Sequence, residues 1–298
     1  MKDIKDLLEM KTKTIYYMSV FLALIGILSC KSMAKTVAEI QQTGELILKD
    51  VAYGTDQLQK MDIALVAGRT RETPLVILIH GGGWMSGDKE DTDFMKDAFF
   101  TNGINVVSIN YRVGTGIHYE EMMEDIDHAV SYIHTHADEW EIRTSGFVFW
   151  GGSAGGHLSL LYAYNYDEEN LISLVITLGA PTKLDDLEGA KQSDIEGLLP
   201  IVTGKPWNSD TNLLDIAYKK ASPYYGEELK PSFLVHGEKD NIVPKRQSIL
   251  MSKRLKQQNI PDTLVILPNS KHGGENTPKE VIEKLNQAIC NWVIKYSE

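Results

Sequence analysis

Ser153 stands in Phe147-Val-Phe-Trp-Gly151-Gly152-Ser153-Ala154-Gly155-Gly156-His157, a short apolar segment that runs into Gly-X-Ser-X-Gly and then a helical pattern. A serine on such a strand–turn–helix is lifted above a sheet, where its hydroxyl can act as a nucleophile. Glycines two residues before and after it let strand and helix approach closely. A phosphate-cradling loop uses similar glycines, but the Gly-Lys-Ser/Thr ending its chemistry needs is absent. A second cluster, His80-Gly81-Gly82-Gly83-Trp84, closes the apolar run Leu75 to Ile79. Consecutive glycines free backbone N–H groups to converge on one spot, and preorganised donors beside a developing oxyanion are worth about 3–4 kcal/mol each. Ala154 places a further N–H at the start of the helix after Ser153.

A serine nucleophile needs a base and a group that orients the base. Downstream, the apolar segment Phe233 to Val235 runs into His236-Gly-Glu238-Lys-Asp240-Asn-Ile-Val-Pro244, and Leu264 to Leu267 runs into Pro268-Asn-Ser-Lys-His272-Gly273-Gly274. Asp240 or Glu238 is the candidate acid and His272 the candidate base, which gives the chain order serine, acid, histidine. His80, His157 and His236 lie inside glycine motifs and read as hydrogen bonders that fix loops. His128, His134 and His136 largely avoid the apolar stripe of their helix and read as a solvated face.

The elements that position these groups are legible as short, nearly continuous apolar runs: Leu75 to Ile79, Ile104 to Ile109, Phe147 to Trp150, Leu174 to Leu178, Phe233 to Val235 and Leu264 to Leu267. Such strands are buried on both faces, as in a parallel sheet. Two half-exposed candidates, Glu45 to Leu48 and Gln57 to Leu65, precede them as a peripheral antiparallel pair. Between the runs lie helical patterns, the clearest carrying Met122, Ile126, Ala129, Val130, Ile133 and Ala137 on one face. Others begin after Asp91, Gly155, Pro244 and Pro278. This alternation predicts a three-layer α/β domain. Lys183 to roughly Lys220 breaks the rhythm, with short helices and turns in place of a strand, and is expected to cap the carboxyl edge of the sheet. That edge is where open α/β sheets build their sites, and all three candidate groups come off strand ends there.

On these motifs, with Asn110-Tyr111-Arg112 and the helix containing Glu124-Asp125, the chain resembles the α/β-hydrolase superfamily. Within it, the chain is similar to hormone-sensitive-lipase-like esterases and to the bacterial esterases often linked to removal of acetyl or feruloyl groups from plant polysaccharides. The resemblance implies a three-layer α/β-hydrolase fold, with a mostly parallel central sheet, helices on both faces and a small helical cap insertion. It implies Ser153 as nucleophile, His272 as base and Asp240 as acid, with Gly82, Gly83 and Ala154 donating to the oxyanion. The implied activity is that of a serine carboxylic-ester hydrolase on short-chain acyl esters, acetyl or feruloyl esters of carbohydrates among them, with no metal or organic cofactor. Trp84, adjoining the glycine loop, is the expected substrate-binding wall. An aryl formamidase and a prolyl-oligopeptidase-like peptidase share the triad order; a non-catalytic binding module would have lost the serine or the histidine. The turn Glu141-Ile-Arg-Thr-Ser-Gly146 departs from the Asp-containing turn of the family.

Composition narrows the partners. Thirty basic residues against 41 acidic ones give a net charge of -11, a surface that repels phosphate backbones and argues against nucleic acid. The acidic run Asp88 to Asp93 lacks the glycine and terminal glutamate of a calcium loop. Two cysteines exclude a disulfide scaffold. Lys11 and Lys13 precede an uncharged run from Thr14 to Cys30, which reads as an export signal and is shorter than the roughly 20 residues of a spanning helix. Its end, Ile27-Leu28-Ser29-Cys30, resembles a bacterial lipobox, in which the cysteine is acylated and becomes the first mature residue. Residues 1–29 are therefore expected to be a lipoprotein-type signal and 30–298 a single domain with its cap at about 183–220. The protein is expected to be anchored through Cys30 and to face the periplasm, free secretion being the alternative, with Met1 or Met10 as the start. Cys290, in the C-terminal helical pattern, reads as packing.

Overall fold

Strands that are apolar on both faces require cover on both sides. In the computed structural model of the protein, which describes residues 44–186, 188–190, 192–210 and 212–297, that cover is present. The strands are β1 (Leu46–Ala52), β2 (Lys60–Leu65), β3 (Leu75–Ile79), β4 (Asn105–Ile109), β5 (Phe147–Gly152), β6 (Ile172–Leu178), β7 (Ser232–Gly237) and β8 (Asp262–Leu267). They form one sheet in the order β1-β2-β4-β3-β5-β6-β7-β8. β2 runs antiparallel to β1 and β4, and every later pairing is parallel.

The helices are α1 (Asp93–Thr101), α2 (Tyr119–Thr135), α3 (Ala137–Trp140), α4 (Ala154–Asn165), α5 (Gln192–Thr203), α6 (Ile216–Lys220), α7 (Arg246–Gln257) and α8 (Lys279–Tyr296). Alternation along β3 divides the core. Leu75, Ile77 and Ile79 pack with Met122, Ile126, Leu158, Leu161 and Met251, from α2, α4 and α7. Val76 and Leu78 pack with Met95 and Phe99 of α1 and Ile289, Cys290 and Val293 of α8. Glu45–Glu298 is one compact unit, and the sheet between two helical layers is the α/β-hydrolase architecture. Cys290 sits inside the second core, where burial pushes its thiol up.

β2 departs from expectation. It is not peripheral: β1 covers its outer edge, and Met61 to Leu65 are buried along the strand. The alternation that suggested a half-exposed strand came from Asp62, which is itself buried and held by Lys49 and Lys89. β1 is the exposed edge, broken by a bulge between Leu48 and Val51, with Asp50 at φ +53°. The stripe on α2 is as expected, except that the helix ends at Thr135 and Ala137 opens α3. His136 lies flat against Tyr132, ring centroids 4.0 Å apart, so it is only half solvated.

Between β6 and β7 the chain forms α5 and α6 in place of a strand. Among the described residues no helix is long and apolar enough to cross a membrane. The expected export segment, with Met1, Met10 and Cys30, lies outside the described residues.

Candidate active site

β5 lies between β3 and β6 and delivers Ser153 to the carboxyl edge of the sheet. Ser153 has φ +51° and ψ −121°, a conformation costly for any residue with a side chain. The turn is held by the Ser153 N–H donating to the Leu178 carbonyl (2.7 Å) and the His157 N–H donating to the Ser153 carbonyl (3.0 Å). Close approach explains Gly155: a Cβ there would lie 2.1 Å from the Ile79 carbonyl oxygen, so no side chain fits between α4 and the end of β3. Ser153 is the N-cap of α4, yet its hydroxyl caps nothing in the helix. Its Oγ lies instead 2.8 Å from His272 Nε2. The first-turn N–H groups, Ala154 included, are left without an intrahelical partner, at the positive end of the helix.

His272 follows β8 and Asp240 follows β7, so the pairing of these two strands sets their separation. His272 Nδ1 lies 2.7 Å from Asp240 Oδ2. The other carboxylate oxygen accepts the Ile242 and Val243 N–H groups, each at 2.9 Å. Burial pushes the Asp240 carboxyl up, but hydrogen bonds from His236 and His272 outweigh it and hold the group well below the usual carboxylate range. Glu238 points elsewhere and accepts the Asn269 N–H at 3.0 Å. Serine, histidine and Asp240 thus form one continuous line.

Gly82 (φ +110°), Gly83 (φ +62°) and Trp84 (φ +63°) pass consecutively through the left-handed region, and the Met85 and Ser86 N–H groups close the turn onto the Gly82 carbonyl. The loop is braced from below. His80 stacks on Tyr111 at 4.4 Å, and the Tyr111 hydroxyl donates to the His80 carbonyl at 2.9 Å. Next to it, Arg112 binds the buried Asp125 of α2 through both its backbone N–H and its guanidinium. The segment Asn110-Tyr111-Arg112 therefore transmits the position of α2 to the glycine loop.

Gly82, Gly83, Trp84, Ser153 and His272 share one cavity of about 360 Å³, whose remaining walls are Pro181, Ala190, Leu198, Leu199, Ile242, Val243 and Pro244. Trp84 contributes to that wall, but it is only 4% exposed, and its indole N–H donates to His157 Nδ1 at 3.2 Å. Tyr111 is fully buried core, and Trp207 packs on Tyr218. A larger cleft, about 640 Å³, lies among Asp167, Glu168, Lys219 and Tyr225 and includes neither Ser153 nor His272. The acidic run at Asp88 is spent on a capping box with Asp91, and among the described residues no cluster of three or more His, Cys, Asp or Glu is arranged to hold a metal ion.

Sequence reasoning did not single out the cavity walls from α5 or the loop after Asp240. Their residues are ordinary Leu, Ile, Val and Pro, without motif spacing. His118 was also missed: it begins α2, and its Nδ1–H donates to the Ile201 carbonyl at 2.8 Å, tying α5 to the body of the domain. A hydroxyl bonded to an imidazole whose other nitrogen faces an ionised carboxylate is an arrangement able to carry out nucleophilic acyl transfer.

The BD-FAE family model matches residues 61–255. The chain is 26% identical over 213 residues to the Esterase LipQ of Mycobacterium tuberculosis, covering 68% of this chain and 50% of that protein. It is 29% identical over 132 residues to the kynurenine formamidase of Danio rerio, covering 44% of this chain and 42% of that one. The chain thus spans half or less of the length of these curated relatives. Among solved structures, a truncated form of a carbohydrate esterase from gut microbiota superposes with a TM-score of 0.72 at 18% identity, covering 86% of this chain and 98% of that one.

Proposed function

The chain belongs to the BD-FAE family, and from that premise we propose that it is a serine hydrolase of carboxylic esters. The reading rests above all on the unbroken line Ser153 Oγ, His272 Nε2, His272 Nδ1, Asp240 Oδ2, with steps of 2.8 and 2.7 Å across the two hydrogen bonds. Ser153 Oγ attacks the ester carbonyl while its proton passes to His272 Nε2. Asp240 holds the imidazolium, and the Gly82, Gly83 and Ala154 N–H groups receive the oxyanion. Collapse breaks the bond to the alcohol, which leaves with the proton from His272. Water then attacks the acyl-enzyme by the same route and releases the acid.

The substrates of this reading are short-chain acyl esters, including acetyl or feruloyl esters of carbohydrates. The apolar cavity walls suit the acyl group and offer a sugar few partners, so the sugar stays at the mouth. Fluorophosphonate labelling, together with a panel of acetyl to decanoyl aryl esters, acetylated xylan, a feruloyl ester, an aryl formamide and a proline peptide, tests the reading. Ser153→Ala is expected to abolish labelling and to lower turnover about 10⁶-fold. Labelling that survives the substitution, or turnover of the formamide alone, would count against it.

The proposal extends to organisation and location: a signal over 1–29, one hydrolase domain over 30–298 with α5 and α6 as its cap at about 183–220, and acylation of Cys30 holding the protein at the membrane on the periplasmic side. The basic residues before the apolar run and the lipobox-like tetrapeptide support it. Cys30→Ser should move the protein from the membrane fraction to the soluble fraction; unchanged fractionation would refute the anchor.

A further inference from the structure

His236 is completely buried at the carboxyl end of β7, four residues before Asp240. Its Nε2 lies 2.9 Å from the Val243 carbonyl oxygen and 3.1 Å from Asp240 Oδ2. Its Nδ1 lies 2.7 Å from the hydroxyl of Ser248, itself buried on α7. A carbonyl and an ionised carboxylate can only accept, so Nε2 must carry the ring proton; it donates to the Val243 carbonyl, with Asp240 Oδ2 beside it as a second, longer acceptor. Nδ1 is paired with the Ser248 hydroxyl. Asp240 Oδ2 is the same oxygen that faces His272 Nδ1 at 2.7 Å. Two histidines thus converge on one carboxylate oxygen, while the backbone N–H groups of Ile242 and Val243 occupy the other.

Resting on the reading of Ser153, His272 and Asp240 as the reacting line, we propose that His236 is a positioning residue for the reaction, its Nε2–H fixing the Asp240 carboxylate that orients His272. Without that donor the carboxylate keeps its two backbone bonds and His272 but loses the second N–H on Oδ2. It can then rotate about its Oδ1 anchor and point less well at His272. A side chain that merely filled space or tied β7 to the Val243 carbonyl would leave the aim of that carboxylate unchanged.

Glutamine and asparagine separate the two roles, because the glutamine amide reaches the Nε2 position of an imidazole, and that of asparagine only the Nδ1 position. Full-length wild type, His236→Gln and His236→Asn are compared in steady-state hydrolysis of an aryl acetate from pH 5 to 9. His236→Asn is expected to lower kcat about tenfold, the rate equivalent of one hydrogen bond to a charged group. KM should change little. His236→Gln is expected to restore most of kcat. Equal losses in both variants, or a change confined to KM, would overturn the proposal. Nitrogen-15 spectra of histidine-labelled wild type give a test that needs no variant to fold: His236 must be protonated at Nε2, and a ring protonated at Nδ1 alone refutes the inference. Ser153→Ala run alongside distinguishes the failures. If it retains turnover, the reacting line and His236 fall together; if it is dead while His236→Asn matches wild type, only the role of His236 falls.

Discussion

Replacing His157 by glutamine tests how the joint between the glycine loop and the segment after α6 responds to acid. His157 is fully buried, accepting the Trp84 indole N–H on Nδ1 and donating from Nε2 to the Ala221 carbonyl at 2.6 Å. The indole can only donate and the carbonyl can only accept, so the neutral ring satisfies both, and a second proton would face an N–H. Burial pushes the imidazole down to about 4, against a smaller opposing effect of the Ala221 bond. The unfolded chain takes up this proton near pH 6.5 and the folded one only near pH 4. The contribution is therefore intact above pH 6.5 and is lost as pH falls toward 4, amounting to about 3 kcal/mol across that window. Urea unfolding followed by circular dichroism, at pH 7.5 and 4.5, measures it. At pH 7.5 the variant should be less stable by about 1–2 kcal/mol, because the Trp84 N–H loses its acceptor. By pH 4.5 the gap should have closed or reversed, by about 2–3 kcal/mol, since groups common to both proteins cancel. A gap that stays constant between the two pH values would refute the buried neutral histidine.

Three further outcomes follow from the site. In Asp240→Asn the amide oxygen must stay with the Ile242 and Val243 N–H groups, which turns the NH₂ toward His272 Nδ1; kcat should fall about 10⁴-fold with unchanged folding, and a loss below about tenfold in a kinetic assay would contradict that role. Gly179, at φ +64°, would carry a Cβ 3.3 Å from Asp240 Oδ2 and 3.2 Å from the His272 carbonyl oxygen, so Gly179→Ala should lower stability by about 1–2 kcal/mol and depress kcat, as read by thermal melting and steady-state kinetics. Leu198, 3.4 Å from where a Gly83 side chain would begin, lines the cavity; Leu198→Phe should cut kcat/KM for decanoyl over acetyl esters by about tenfold or more, and equal losses at every chain length would show that no acyl track passes it.

The sequence exposes most strongly what is periodic or glycine-bound. β3 coincides with its apolar run, whereas β7 extends beyond Phe233 to Val235 because it also takes in the polar Ser232 and His236 and ends at Gly237. The placing of β2 was obscured by Asp62, whose polarity argues for solvent although two lysines neutralise it in the interior. The start of α2 was hidden because histidine is not a usual N-cap residue; there the Glu121 carboxylate accepts the His118 N–H at 3.0 Å. Ser153, Asp240 and His272 were legible because each follows an apolar run at a strand end. The contact of His236 with Asp240 was not, since it depends on the loop folding back over four residues. The cavity walls were equally silent: Leu198 and Ile242 acquire meaning only from where α5 and the loop after Asp240 come to rest.

The bulge in β1 interrupts the outer strand of the described sheet. An outermost strand presents unpaired N–H and C=O groups on which a foreign strand can template. Here Asp50 turns out of the extended conformation in mid-strand, with its carboxylate on Lys89 (2.9 Å), and Lys49 beside it bonds Asp62. A docking strand would find its register interrupted after Leu48 and two charges fixed in its path. Among the described residues that edge of the sheet is therefore interrupted and charged, and it lies apart from the carboxyl ends of the strands, where Ser153 stands.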